Sequence, residues 1–176
     1  ERGYAFVVEG LRNGLPDMLN QIEGWESVVG AFIAAPEFME SKALRCRFAD
    51  WLKTNEVFPP EISSAIQIES WLRDIPHKDE GAELFASMPR QEDWGDGTLR
   101  CHDTLRRQSF SAAGTQLIFG WEIEAESLAL CCVWTDGAPQ VFVETEEMTA
   151  VFAQVQAGNK PNQDDTVLDL LDIGAL

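Results

Sequence analysis

Midway along this chain the spacing of apolar residues changes from helical to alternating, and a fold built from one class of secondary structure cannot satisfy both halves. In the first half Leu44, Phe48, Trp51 and Leu52 recur at i, i+4, i+7 and i+8, with Lys42, Arg45 and Lys53 set toward solvent. That spacing predicts an amphipathic helix opened by Pro36 and stopped at Asn55. Pro59 and Pro60 open a second, striped by Ile68, Trp71, Leu72 and Ile75 and closed by Pro76. Shorter helices are expected after Pro16 through Met18, Leu19 and Ile22, over Ser27 to Ala34, and over Asp79 to Met88. Tyr4 to Val8, a five-residue run, reads instead as a short strand.

Pro89 to Gly97 is polar and glycine-bearing, a loop holding Trp94. Past it, Leu117, Phe119, Trp121 and Ile123 alternate with Ile118, Gly120, Glu122 and Glu124, which predicts a strand with two of its glutamates facing solvent. Leu128, Leu130, Cys132 and Trp134 predict a second strand, Val141 and Val143 a third, and Asp136 to Pro139 the hairpin loop between them. Gln116 to Glu144 thus reads as an antiparallel meander. Thr145 is a credible N-cap, with Glu146 and Glu147 in the first helical turn, Met148, Val151, Phe152 and Val155 on one face, and Gly158 as the stop. After a polar linker from Asn159 to Gln163, Val167, Leu168, Leu170, Leu171 and Ile173 are set among Asp164, Asp165, Asp169 and Asp172. This ending is either a last helix packed on the core or a docking peptide.

The expected class is α+β: a helical N-terminal half packed with a C-terminal antiparallel sheet of three or more strands, followed by one or two helices. A chain of 176 residues with six tryptophans and ten phenylalanines supports a single domain over 1–176. Within it the helical part runs over about 10–88, the loop over 89–97, the sheet and helix over 98–158 and the acidic ending over 159–176. The longest apolar runs fall short of the roughly 20 residues of a membrane span, so no membrane partner is expected.

Charge is as unevenly distributed as periodicity. From Phe110 to Leu176 eleven carboxylates stand against one cation, Lys160, whereas the first 75 residues hold twelve acids and seven bases. A net charge of −17 argues against direct binding of nucleic acid and invites a basic protein partner. The expected contact surface comprises Glu122, Glu124, Glu126, Asp136, Glu144, Glu146 and Glu147, with Trp94 as an aromatic anchor. Trp25, at a break after Gly24, is a weaker exposed aromatic, while Trp51, Trp71, Trp121 and Trp134 sit on stripes that should be buried.

Catalytic chemistry finds little footing. His102 follows Cys101 directly, an arrangement that turns neighbouring side chains apart, and a Cys132 nucleophile served by His102 would have to be assembled by folding alone. The chain has no CxxC, HxxxH or HExxH spacing, no regular calcium loop and no glycine-rich phosphate cradle, so no catalytic residue, metal or cofactor is expected. Glu122 and Glu124 have the residue types of a glycosidase pair, but their alternation marks a solvated row. Cys46, Cys101, Cys131 and Cys132 are few and irregularly spaced, which favours free thiols in a reducing, cytoplasmic setting. Function is thus expected to be inhibitor-like or immunity-like binding of a basic protein such as a nuclease toxin. The alternatives are a dimeric secretion-type chaperone or adaptor holding an extended client and, third, an enzyme of unknown class.

Overall fold

Helices occupy most of the N-terminal region. The computed structural model describes residues 2–74, 99–135, 138–162 and 164–176. In chain order come α1 (Arg2–Gly14), α2 (Pro16–Leu19), a 3-10 turn (Trp25–Val28), α3 (Val29–Ala34), a second 3-10 turn (Pro36–Met39), α4 (Leu44–Thr54) and α5 (Pro60–Leu72). Then follow β1 (Arg106–Ser111), α6 (Ala112–Phe119), β2 (Ser127–Thr135), β3 (Ala138–Val143), α7 (Glu146–Gln156) and α8 (Asp165–Asp172). The class is α+β, with a three-stranded antiparallel sheet in the order β1-β2-β3 followed by helices. Among the described residues no helix is long and apolar enough to cross a membrane. The expected helix over 79–88, the loop over 89–97 with Trp94, and Asp136 lie outside the described residues.

The chain divides into two compact units that interleave along the sequence: Glu1–Asp74 with Phe110–Ser127, and Ile75–Ser109 with Leu128–Leu176. In the first unit Trp25, Phe32, Phe48 and Trp51 form an aromatic cluster with ring centroids 5.2 to 6.3 Å apart, and Val7, Leu11, Leu15, Leu19 and Leu52 pack around it. Trp25, the weaker exposed candidate, is therefore buried. Helix α5 is covered almost all round, burying Ser63, Ser64, Ala65, Ile66, Ile68, Glu69 and Ser70. It packs against α2, α4 and α6. Glu69 accepts the amide N–H groups of Asp17 and Met18 at 2.9 Å each, so α5 satisfies the donors that a short α2 leaves open.

Several expectations about elements are corrected. The run Tyr4 to Val8 belongs to α1, because Val7 and Leu11 lie one turn apart and are buried together; so short an apolar run does not by itself separate strand from helix. Pro36 opens only the 3-10 turn, and the long helix begins at Leu44. The strand expected from Gln116 onward is α6, capped by Ser111, whose hydroxyl accepts from Gly114 N–H at 3.1 Å, and ended by Gly120 in the left-handed conformation. Its buried face is made of small residues, Ala112, Gly114 and Thr115, because α6 approaches Ser64 and Ala65 of α5 closely. The large alternating residues are not the ones it buries.

The first strand is Arg106–Ser111 instead, almost wholly polar and exposed except at Phe110. Thr104 holds the approach to it: its hydroxyl accepts from Trp134 N–H at 3.0 Å and lies 2.8 Å from His102 Nδ1. β2 and β3 pair antiparallel in the register Leu130–Val143, Cys132–Val141 and Trp134–Pro139. Glu144 N–H donates to Ala129 O at 2.9 Å, which makes that pair hydrogen-bonded. By alternation Pro139 then falls at a non-hydrogen-bonded position of an edge strand, where its missing N–H costs the ladder nothing. β3 therefore begins earlier than a proline in the sequence suggests.

In the second unit Cys131, Phe152, Val151, Val155, Val167 and Leu170 share a core with Ala175 and Leu176. Thr145 caps α7 by accepting from Met148 N–H at 3.2 Å, and Asp164 caps α8 by accepting from Val167 N–H at 3.0 Å. The acidic ending is thus a helix packed through Val167 and Leu170, and His102 N–H donates to Ala175 O at 2.9 Å just beyond it.

Candidate functional site

The expected acidic row divides between the two units. Glu122, Glu124 and Glu126 lie in the irregular segment after α6, in the first unit, all exposed. Leaving the strand they were expected to line removes the alternation that set them on one sheet face. Glu144, Glu146 and Glu147 follow β3 in the second unit, and only the last two are exposed.

Glu144 is an internal ion-pair partner. Its side chain is 4% exposed, and Arg107 holds both carboxylate oxygens, through Nε at 2.9 Å and through Nη2. The Thr149 hydroxyl donates at 2.6 Å, the Cys131 thiol lies 3.7 Å away, and the Arg107 guanidinium stacks over the Phe152 ring at 4.9 Å. Burial pushes this carboxyl up, but the hydrogen bonds from Arg107, Thr149 and Cys131, with the positive charge of Arg107, hold the group below its ordinary value. Arg107 is correspondingly raised by its bond to Glu144. Sequence reasoning missed this arginine because it sits in a polar strand with no apolar period to mark it.

Elsewhere, charge pairing follows the asymmetry of the sequence. In the first 74 residues Arg12 bridges Glu26 at 2.7 Å, Lys42 bridges Asp50 at 2.9 Å, Arg45 bridges Asp74, and Arg73 reaches Asp17 at 3.2 Å and Glu69 at 3.3 Å. From Phe110 onward, Glu144 alone among the described carboxylates is bridged by an arginine or lysine. Glu122, Glu124, Glu126, Glu146, Glu147, Asp164, Asp165, Asp169 and Asp172 are exposed, and the last three recur on one face of α8. Glu147 is held below its ordinary value by hydrogen bonds from its own amide and from Thr145.

The thiols are placed for packing. Cys131 and Cys132 are fully buried, and burial pushes each up to about 12, which leaves almost no thiolate near neutrality. His102 Nδ1 accepts from Thr104 N–H at 3.2 Å, so that nitrogen is already engaged. Among the described residues no group of histidine, cysteine or carboxylate side chains converges as a metal site. Compared with protein-family models, curated proteins and solved structures, the chain has no match.

Proposed function

We propose that this chain is a non-catalytic acidic binding module, an inhibitor or immunity-type protein that neutralises a basic protein partner such as a nuclease toxin. One observation carries the reading: six of the eleven described acids in the first 74 residues are bridged by internal cations, whereas those after Phe110, Glu144 excepted, stand exposed and unbridged among the described residues. Unneutralised carboxylates of one sign raise the encounter rate with a basic protein by orders of magnitude at low salt. Glu122, Glu124, Glu126, Glu146 and Glu147 are the contact residues of this reading, and Glu144 instead supports the sheet. Cytoplasmic residence belongs to the same proposal, since free thiols persist in a reducing compartment.

The test is affinity capture from the native host lysate at low and at high salt, with mass spectrometry and light scattering on the retained material. Recovery of one strongly basic protein at one-to-one stoichiometry, weakened by salt, supports the proposal. Elution as a lone monomer, or as a homodimer with mixed clients, overturns it, and the second result favours the chaperone alternative.

A further inference from the structure

We infer that the end of α6 and the segment after it form the face on which the partner docks, and that the partner presents a basic amphipathic element there. Within ten residues, Leu117 to Glu126, the chain sets three apolar anchors followed directly by three glutamates. Leu117 is 50% exposed although it lies on a helix, since α6 buries its small-residue face against α5 and turns Leu117 outward. Two residues on, Phe119 stacks on Trp121 with ring centroids 4.5 Å apart and planes 20° apart, and both rings remain partly open to solvent. Gly120, left-handed with φ of 70°, makes the turn that lets the two rings meet. Glu122, Glu124 and Glu126 follow, exposed and unbridged.

Large aromatic anchors at the centre and charges at the rim are the arrangement in which binding energy concentrates at interfaces. Charge complementarity selects the occupant. Phe6 and Met39 are more exposed, at 75% and 83%, and Tyr4 is exposed beside Phe6, but these stand in segments that also hold arginine or lysine, whereas Leu117 to Glu126 holds neither. A lysine-rich or arginine-rich helix with one apolar face satisfies both the anchors and the glutamates beside them in the chain.

The inference rests on the proposed function, and its test is separable from that of the function. The 15N-labelled chain is titrated at low salt with a synthetic helix of lysines and leucines at amphipathic spacing, and separately with poly-lysine. Saturable shifts of the 117–126 amides and the Trp121 indole N–H with the amphipathic helix, weakened about tenfold by Trp121→Ala and several-fold by the exposed Leu117→Ser, support it. Saturable shifts at Glu146, Glu147 and α8 with none at 117–126 overturn this face, as does an equal response to poly-lysine. No saturable shift at 117–126 with either probe also overturns it, while the proposed function stands or falls on the salt-dependent capture.

Discussion

Gly114 of α6 lies so close to Ser64 of α5 that a β-carbon on it would stand 2.5 Å from the Ser64 β-carbon and 3.0 Å from the Ala65 amide nitrogen. The two helices meet backbone to backbone, and the small residues at the crossing are a steric requirement. Gly114→Ala therefore forces the helices apart, with an expected loss of about 1 to 3 kcal/mol of stability read from the urea midpoint. Pairing it with Ser64→Gly should recover part of that loss, although Ser64→Gly alone destabilises. Strict additivity of the two changes would refute the contact.

Arg107 and Glu144 make a second test. Arg107→Ala leaves a carboxylate that is 4% exposed without its cation, and a loss of about 2 kcal/mol is expected. Because the folded Glu144 carboxyl lies below its ordinary value, its contribution is fully present above the unfolded pKa of about 4.3 and is lost as pH falls through the folded value. The stability gap between the parent chain and Glu144→Gln should accordingly be constant near neutrality and close on acidification. A gap unchanged in acid would show that the pair is not ionised.

Glu69 should behave in the opposite sense. Burial raises its carboxyl above the ordinary value, against the lowering effect of the Asp17 and Met18 amides, so the folded chain holds this proton more tightly than the unfolded one. Its contribution is present below about 4.3 and lost as pH rises through the folded value. Urea melts of the parent and Glu69→Gln at low protein concentration should show the parent losing ground to the variant over that interval. A parent that gains ground there would reverse the assignment.

Thiol accessibility gives a fourth expectation. Cys46 and Cys101 are half-buried and Cys131 and Cys132 fully buried, so a disulfide reagent at mildly alkaline pH should modify the first two in the folded protein and the last two only as it unfolds. Mass spectrometry of partly modified protein reads the order directly. Simultaneous modification of all four in the folded state would contradict the burial of β2.

Most of this fold was legible where size and period agree. Phe48, Trp51 and Leu52 mark α4, Val151, Phe152 and Val155 mark α7, and both helices are found, although α4 starts at Leu44 and not at Pro36, because large apolar residues are the ones those helices bury. α6 was misread because its buried face is alanine, glycine and threonine, while Leu117, Phe119 and Trp121 happen to alternate. Its ends were nonetheless written in Ser111 and Gly120, a cap and a stop that outrank a four-residue alternation. β1 carries one buried large residue, Phe110, and the rest of its sequence has no pattern to find. Of the expected contact residues, Glu144 is the one that the fold pairs internally, for a related reason: composition counts a carboxylate, but only folding supplies the Arg107 beside it.

The order in which the two units are threaded bears on how the protein is made. The first 74 residues emerge from the ribosome well before Ala112 to Phe119, yet α5 needs that later helix to cover Ser64 and Ala65. A nascent chain stalled anywhere before Phe119 therefore presents an incomplete first unit, with the α5 surface still wet. The N-terminal part has to wait for synthesis to pass through residues of the other unit before it can close, which makes the intervening interval, rather than the finished fold, the stage most open to chaperones and proteases.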